Sequence, residues 1–343
     1  MSDHQRVAIV GNPSPEHVGA HLLSAARAMG LEVQLSDARR AWSPSRLVNK
    51  LFYHAPGRRP PRLGRFSREV RRAVESFGPD LLLVTGISPP SASAIKAIRS
   101  LGVRCVNLLT DDPWNLRNAA GFFWDALREY DAVFSPRRAN LGGLRSHGCR
   151  KVEYLPFAYN PEVHFPEAPS SLADHETFDA DVAIVGGADA DRTPLALALA
   201  DAGLNLRLYG GYWDRVPRLR RFCRGFVYGR DLRMAVGGAT ANIAMVRRAN
   251  RDGHAMRSLE LPAMGACIVA EDTEEHRSLF GPEGAAVLYY DSTDRLLRQL
   301  GCLRAAPELA ARLRTSAKAL AERGHHTYAD RLSTVLQARA SGS

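Results

Sequence analysis

The sequence contains 343 residues, of which 45% are hydrophobic and 24% are charged. This composition excludes a disordered, fibrous or disulfide-stapled chain, and at roughly 100–200 residues per domain the length predicts two domains. No stretch approaches the roughly 18 consecutive apolar residues of a membrane-spanning helix, and no signal-peptide core follows Met1, so we expect a cytoplasmic protein.

Charge and cysteine content narrow the class of protein further. The 46 Lys and Arg residues exceed the 36 Asp and Glu residues and give a formal net charge of +10. Nearly all of the basic residues are arginines, which indicates compositional bias, and we expect no nucleic-acid partner. The five cysteines are odd in number and form no C-x-x-C pair, so they predict free, mostly buried thiols and no metal site.

The first half of the chain alternates short apolar runs with segments of helical periodicity. Strands alternating with helices indicate a parallel sheet covered by helices on both faces. The strands are predicted at 6–12, 31–35, 79–86, 103–109 and 132–135, and helices are predicted at 17–30, 68–77 and 92–101.

The same alternation restarts after a stretch rich in Pro and Ser, from Leu155 to Asp181, which predicts a linker. The fold class is therefore α/β, with two Rossmann-like parallel-sheet domains. We predict an N-terminal domain at 1–160, a linker at 161–180, a C-terminal domain at 181–322 and a C-terminal helix at 323–343. Helical periodicity extends over 308–338, and such a terminal helix often packs back on the first domain. The second set of strands is predicted at 181–187, 204–210, 226–229, 241–245, 266–270 and 286–290.

Ligands of open α/β sheets bind beyond the carboxyl ends of the strands, so the turns that follow strands are the candidate sites. The first turn, at Gly11 and Asn12, lacks a complete G-x-G-x-x-G, which weakens an NAD(P) hypothesis. It is either a structural turn or an acceptor-side element. In the second domain, Gly186 and Gly187 would let backbone N–H groups approach a phosphate, and Arg192 would add charge at the helix start. A solvated Arg192 is the alternative.

The loop at 247–258 is charged, contains a glycine and leads into a short helix. It is the most informative segment of the sequence for function. Asp252 and Glu260 are eight residues apart, and Arg257 lies on nearly the same helical face as Glu260. A carboxylate can accept two ribose hydroxyls while an arginine neutralises a diphosphate. An exposed Arg257–Glu260 pair would explain those two residues but not the surrounding loop.

Motifs along nearly the whole chain resemble the CgeB-type (spore maturation protein-like) glycosyltransferases, a bacterial family. The motifs are R-x-x-E-x-P-A-x-G-A from Arg257, followed by E-D-T-E-E-H-R-S-L-F, L-L-T-D-D-P-W-N at 108–115, Y-L-P-F-A-Y-N-P at 154–161, the turn at 185–192 and G-H-H-T-Y at 324–328.

The resemblance implies the GT-B fold, with the acceptor on the first domain and a nucleotide sugar on the second, facing across a cleft. Retaining members carry two acids with the spacing E-x7-E, which Asp252 and Glu260 keep, although the first is Asp. They also use a basic pair after the first strand of the donor domain. Here Arg192 occupies the second position and Gly187 the first, so Arg257 or Arg248 would supply the missing charge. The residues expected to bind the nucleotide sugar are Gly186, Gly187, Arg192, Tyr228, Arg248, Asn250, Gly253, Arg257 and Glu260.

Two further features leave alternatives open. Asp111 and Asp112 follow a strand of the first domain, where a carboxylate could orient or deprotonate an acceptor hydroxyl, but Asp112-Pro113 is also a good helix start. With Asp252, these two acids are the candidate catalytic residues. The basic segment at 56–72 could contact anionic lipid at the inner membrane face, bind a phosphorylated acceptor or be a solvated surface.

The combined prediction is a glycosyltransferase, a hexosyl- or related transferase, that moves a sugar from a nucleoside-diphosphate sugar to an acceptor hydroxyl. We expect a retaining, metal-independent reaction with the nucleotide sugar as co-substrate and no further cofactor. The acceptor class is open among a glycan, a lipid-linked molecule, a protein and a small molecule. The alternatives are a sugar-nucleotide epimerase or hydrolase of the same fold and a non-catalytic binding protein.

Overall fold

The computed structural model describes residues 5–55 and 57–338, which divide into two compact units. Unit 1 holds the chain up to Pro156, the short segment Ala249–Arg251 and the chain from Tyr328 onward, and unit 2 holds Phe157–Arg248 and Asp252–Thr327. Each unit contains one six-stranded parallel sheet. The predicted α/β fold with two Rossmann-like domains is confirmed.

Unit 1 is a doubly wound sheet with the strand order β2-β1-β3-β4-β5-β6. Its strands are β1 (Arg6–Gly11), β2 (Glu32–Asp37), β3 (Leu81–Thr85), β4 (Arg104–Leu108), β5 (Ala132–Ser135) and β6 (Val152–Tyr154). Its helices are α1 (Val18–Ala28), α2 (Arg46–His54), α3 (Leu63–Phe77), α4 (Ala92–Arg99), α5 (Gly121–Leu127), α6 (Arg138–Ser146) and α14 (Tyr328–Gln337).

Unit 2 has the strand order β12-β11-β10-β7-β8-β9. Its strands are β7 (Ala180–Val185), β8 (Leu206–Tyr209), β9 (Cys223–Gly225), β10 (Ala239–Ala244), β11 (Ile268–Glu271) and β12 (Leu288–Tyr290). Its helices are α7 (Leu172–Phe178), α8 (Arg192–Asp201), α9 (Gly229–Gly237), α10 (Arg257–Ala263), α11 (Glu274–Phe280), α12 (Thr293–Ala305) and α13 (Pro307–Arg323).

The central strands of both sheets are buried on both faces, as parallel sheets require. Every residue of β3 is buried, and the side chains of Leu82 and Val84 pack with Phe66 and Val70 of α3 in one core. Burial also raises the pKa of the Cys267 thiol to about 11. The predicted free thiols are confirmed, and three of the five cysteines are buried.

The C-terminal helical segment is interrupted, in contrast to the continuous pattern predicted over 308–338. Helix α13 ends at Arg323, and α14 begins at Tyr328 after His325, whose φ of +52° is left-handed. Helix α14 packs on α1, where the rings of Tyr328 and His21 stack with centroids 5.0 Å apart. The terminal helix therefore belongs to the first unit.

Three local predictions differ from the structure. The strand predicted at 226–229 lies instead at β9, because Gly225 and Gly229 have positive φ and the aromatic residues between them are exposed. The predicted linker contains α7, which Ser171 caps by accepting the N–H of Asp174. Helix α2 has no counterpart in the predicted elements. Among the residues described, none of the helices combines the length and the apolar character needed to cross a membrane.

Candidate functional site

The strand order of unit 2 has a switch point between β7 and β10. The chain leaves β7 toward β8 on one side, whereas it leaves β10 toward β11 on the other. The connections that follow two adjacent strands in this way diverge, and open α/β sheets bind ligands at such switch points. The turn Gly186–Asp191 follows β7, and the loop Met245–Met256 follows β10.

The turn after β7 is fixed by its own side chains. The Oδ1 of Asp189 accepts the backbone N–H groups of Asp191, at 3.1 Å, and of Arg192, at 2.9 Å. Its glycines allow a close approach of the neighbouring turn, since a β-carbon on Gly210 would lie 2.7 Å from the carbonyl carbon of Gly186, and one on Gly187 would lie 3.1 Å from the Gly211 carbonyl oxygen.

Arg192 places a buried positive charge at this turn. It is 8% exposed, its Nη1 donates to the Gly187 carbonyl at 3.1 Å, and the same nitrogen lies 3.5 Å from the Asp189 carboxylate. Burial lowers the pKa of Arg192, and Arg247 lowers it further, whereas the Asp189 and Asp252 carboxylates raise it. Arg192 stays charged near neutral pH because the reference pKa of arginine is far higher. The Asp252 carboxylate is therefore one of the charges that act on Arg192.

Two exposed arginines follow β10 at the same switch point. The Nε of Arg247 lies 3.6 Å from Asp189 Oδ2, and the Nη2 of Arg248 lies 3.3 Å from Glu271 Oε1. Their side chains are 50% and 73% exposed. The carboxylate partners are only 23% and 16% exposed, but the two guanidinium groups are largely in water and lie more than 3 Å from them, so these ion pairs are weak. A diphosphate can therefore replace the carboxylates as the partner of these guanidinium groups.

The segment around Gly253 is held by tight packing. Gly253 accepts a hydrogen bond from Thr273 Oγ1 at 2.5 Å, and a β-carbon on it would lie 2.5 Å from Glu275 Cδ. Behind it, the fully buried His254 shares a 2.5 Å hydrogen bond with Glu275 Oε2 through Nδ1, and its Nε2 accepts the Phe157 N–H at 3.2 Å. These partners select the Nδ1–H tautomer of His254.

A second buried histidine supports the first turn of α10. His276 Nδ1 donates to the Glu271 carbonyl at 2.7 Å, and its Nε2 accepts from Ser258 Oγ at 2.7 Å. Burial lowers the pKa of His276 to about 4, so the ring is neutral at physiological pH. His254, Glu275 and His276 were not among the predicted site residues, because their pairings join residues 18 to 21 positions apart.

Glu260 on α10 is a buried carboxylate. Its side chain is 2% exposed, its Oε2 is paired with Arg257 Nη1, and its Oε1 lies 3.8 Å from His164 Nε2. Burial lowers the pKa of His164, whereas the Glu260 charge raises it. Arg257 is 31% exposed, so one side of this pair faces solvent. The pair is therefore not the exposed surface pair that the sequence left open as an alternative.

Tyr228 lies after β9 and belongs to an exposed aromatic pair. Its ring is stacked with that of Phe226, with an interplanar angle of 7° and centroids 6.2 Å apart. The two residues are 52% and 68% exposed. Because exposed aromatic rings are good stacking surfaces for nucleobases, this pair is a candidate base platform in unit 2.

The strand ends of unit 1 hold the acceptor-side candidates. Gly11 must be small, because a β-carbon there would lie 2.6 Å from Thr85 Oγ1, and Asn12 Oδ1 accepts the Ser14 N–H at 3.0 Å. Asp111, after β4, accepts from Thr110 Oγ1 at 3.1 Å and is partly exposed.

Asp112 is engaged in a different way from Asp111. It is 1% exposed, and its two oxygens bind the Arg251 guanidinium at 2.7 and 2.8 Å. Its Oδ1 also accepts the Trp114 N–H at 3.0 Å, and Arg251 donates to Asn140 Oδ1 at 2.8 Å. The neighbouring Asn250, a predicted nucleotide-sugar ligand, accepts from Asn115 at 2.7 Å. Within unit 1, Asn250 and Arg251 thus form one polar cluster with the residues after β4.

The structure therefore groups the predicted residues by location. Around the switch point of unit 2 lie Gly186, Gly187, Arg192, Arg248, Asp252 and Gly253. Glu260 and Arg257 share α10, Tyr228 follows the edge strand, and Asn250 is part of unit 1. Arg247 is an additional charged residue of the switch point that was not among the predicted ligands.

One part of the chain matches a known protein family. Residues 192–337 match the profile of a protein family described as glycosyl transferase-like. No protein with a curated function matches the sequence significantly.

Solved structures share the fold over almost the whole chain. Sucrose-phosphate synthase from Thermosynechococcus elongatus has a TM-score of 0.68 at 14% identity, covering 97% of this chain and 98% of that one. Anabaena HepE, in complex with UDP and glucose, has a TM-score of 0.64 at 12% identity, and the match covers 98% of this chain and 100% of that one. A Listeria monocytogenes protein provisionally assigned as a UDP-N-acetylglucosamine 2-epimerase has a TM-score of 0.55 at 12% identity, covering 99% and 98%. The fold is that of the GT-B glycosyltransferases.

Proposed function

We propose that the protein is a glycosyltransferase that moves a sugar from a nucleoside-diphosphate sugar to an acceptor hydroxyl, and that it is of the CgeB type. The observation that carries the proposal is the switch point of unit 2, where three arginines lie around the turn after β7. Arg192 and Arg247 are 3.5 and 3.6 Å from the Asp189 carboxylate, and the Arg248 N–H donates to Asp191 at 3.3 Å. The match of residues 192–337 to a glycosyl transferase-like family and the UDP and glucose bound by Anabaena HepE support it.

The arginines have a defined role in this reaction. As the bond between the anomeric carbon and the diphosphate breaks, its electron pair leaves with the diphosphate, and cationic groups lower the energy of that charge. Buried Arg192 supplies a fixed charge, whereas Arg248 and Arg247 are free to reorient because they are largely exposed. Three guanidinium groups can do this without a bound metal, and we propose a metal-independent reaction with no cofactor beyond the co-substrate.

The carboxylates have separate proposed roles. Glu260 would accept the ribose hydroxyls, and Asp252 would lie near the sugar. Their spacing of eight residues, as in E-x7-E, supports a retaining outcome. Asp111 would take the proton from the acceptor hydroxyl, since it is the partly exposed acid after β4. The acceptor is a hydroxyl of a glycan, a lipid-linked molecule, a protein or a small molecule. The free thiols favour a cytoplasmic location.

Nucleotide binding is the first test. A thermal-shift panel of nucleoside diphosphates and their sugars should give stabilisation by at least one of them, because a ligand that binds only the native state raises the melting temperature. Calorimetry with that nucleotide should then show weaker binding for Arg248→Ala and unchanged binding for Arg218→Ala. Arg218 is a matched control, since it is exposed and paired with Asp201 on a different surface of unit 2. A panel without any stabilising nucleotide would contradict the proposal.

An epimerase or hydrolase is the second candidate, favoured by the fold shared with the Listeria monocytogenes protein. Incubation of the chain with the bound nucleotide sugar alone separates the two. An epimerase or hydrolase consumes the donor without an acceptor, whereas a transferase releases nucleotide rapidly only when an acceptor is present. Binding without turnover under any condition would indicate a non-catalytic binding protein.

A further inference from the structure

Helix α2 exposes large apolar side chains to solvent. Leu47 and Leu51 are one helical turn apart and are 81% and 69% exposed, and none of the residues of α2 is buried. Val48 on the adjacent flank is 36% exposed. Neighbouring exposed leucines on one helix face form a patch that normally marks an interaction site.

The opposite side of α2 attaches the helix to unit 1, so the orientation of the leucines is defined. Asn49 donates to the Ser43 carbonyl at 2.8 Å and accepts the Ser43 N–H at 2.8 Å. Tyr53 donates from its hydroxyl to the Arg117 carbonyl at 3.2 Å. Because these residues lie on the far side of the helix from Leu47 and Leu51, the leucine face points outward.

A row of basic residues runs beside the leucines. Arg46, Lys50 and His54 recur at every fourth position, are exposed and lie on one strip of α2 next to the leucine face. The sequence from Ala38 to Arg68 contains nine Lys and Arg residues and no Asp or Glu. The outward surface of α2 is therefore apolar along one strip and cationic along the next.

We propose that α2 docks on an anionic lipid bilayer, with Leu47 and Leu51 entering the boundary between headgroups and acyl chains. Arg46 and Lys50 would then contact lipid phosphates. This pairing of an apolar strip with a basic strip is the pattern of helices that lie in the plane of a membrane surface. The proposal goes beyond the proposed transferase activity and does not depend on it.

Other occupants fit the surface less well. A soluble polyanion would pair with Arg46 and Lys50 but would leave the leucines in water. A second copy of the chain, related by a two-fold axis, would cover the leucines but would bring the basic strips of both copies together. Only a surface with both negative charge and an apolar interior matches both strips.

Co-sedimentation with lipid vesicles tests the proposal on the full chain. The protein should sediment with phosphatidylcholine vesicles that contain phosphatidylglycerol, and far less with phosphatidylcholine alone. The double variant Leu47→Ser/Leu51→Ser should bind at least about tenfold more weakly, since it removes the inserted apolar groups. The control Leu101→Ser/Leu172→Ser, which alters leucines that are 52% and 78% exposed elsewhere, should bind as the unaltered chain does.

A second pair of variants, one test and one control, measures the contribution of charge to vesicle binding. Lys50→Glu should weaken binding to the anionic vesicles by at least about fivefold, whereas Lys96→Glu, an exposed lysine on α4, should not. Failure of the unaltered chain to bind these vesicles would overturn the proposal, as would equal losses in the test and control variants. Sedimentation velocity tests whether a second copy of the chain covers the leucines. A dimer of the unaltered chain that the double variant Leu47→Ser/Leu51→Ser dissociates would identify that second copy as the occupant and would overturn the membrane proposal.

Discussion

Gly253 lies so close to Glu275 that a β-carbon on the glycine would stand 2.5 Å from the glutamate Cδ. Glu275 has no easy way to move, because its carboxylate is bonded to the fully buried His254 at 2.5 Å. The packing of Glu275 therefore fixes the backbone next to Asp252, the acid that acts on the Arg192 charge. The contact of Gly253 with Glu275 is therefore directly next in the chain to Asp252, a proposed site residue.

Gly253→Ala tests this dependence. The added methyl must displace Glu275 or the loop backbone, so we expect the free energy of unfolding to fall by about 1–3 kcal/mol, as overpacking typically does. We also expect weaker nucleotide binding. Urea unfolding and calorimetry measure the two effects. Gly301→Ala, on a helix position with nothing within 4 Å of the new methyl, should instead be neutral or stabilise by about 0.5–1 kcal/mol. Equal effects of both variants would refute the proposed tight contact.

His276 makes the stability of unit 2 depend on pH. Burial lowers its pKa to about 4, below the ordinary value of 6.5. The unfolded chain therefore binds the proton more readily, so the contribution of neutral His276 is complete above about pH 6.5 and is lost as the pH falls toward 4. The expected loss is up to about 3 kcal/mol.

Urea unfolding at several pH values between 7 and 4 measures this slope. His276→Gln removes the titrating ring, so its unfolding free energy should decline less steeply with falling pH than that of the unaltered chain. His164, whose pKa burial also lowers, adds a slope of the same sign in both proteins. Leu101→Ser is the control, since it alters an exposed leucine and removes no titrating group. Parallel slopes for all three proteins would rule out His276 as the source.

The parts of the fold that could be predicted are those that a local pattern specifies. Residues 81–84 of strand β3 form a continuous apolar run, and such a run predicts a strand that is buried on both faces. Strand β6 has three residues with Glu153 in the middle, which is too short for any period. Helix α2 escaped prediction because its leucines face solvent rather than a core.

The same distinction applies to the site. The turn at Gly186 and Arg192 follows a strand directly, so its glycines and charge were visible in sequence. The pairing of His254 with Glu275 arises only when the loop after β10 packs on α11, and no short-range spacing predicts it. Likewise, Asn250 stands in the sequence between Arg248 and Asp252, which both belong to unit 2. Its side chain nevertheless bonds to Asn115 in unit 1.

The substitution Glu260→Gln tests whether Glu260 binds the nucleotide or only supports Arg257. The amide keeps the volume of the buried side chain but loses the charge, so we expect the best-binding nucleotide to lose about 1–3 kcal/mol of affinity through weaker hydrogen bonds to the ribose. Calorimetry measures the change, with Glu322→Gln, an exposed acid paired with Lys318 on α13, as the control. A lower melting temperature with unchanged affinity would show that Glu260 only supports Arg257.

Asp111 and Asp112 are adjacent, but their surroundings predict opposite effects for the same substitution. Asp112→Asn should lower the unfolding free energy by about 1–3 kcal/mol, because the buried carboxylate loses its charge against Arg251 and one of its accepting oxygens becomes a donor. Asp111→Asn should leave stability nearly unchanged, because Asp111 is partly exposed and bonded to the neighbouring Thr110. Thermal melting and urea unfolding of the two variants provide the comparison.

Turnover should instead depend more on Asp111 than on Asp112. If Asp111 takes the acceptor proton, Asp111→Asn should lower kcat by about 10²–10⁴-fold, since that is the usual contribution of a general base. Its affinity for the nucleotide should stay the same, because the nucleotide is expected on unit 2. Nucleotide release in the presence of acceptor gives kcat, and calorimetry gives the affinity. Full activity of Asp111→Asn would exclude Asp111 as the base, and a loss of activity in Asp112→Asn at full stability would move that role to Asp112.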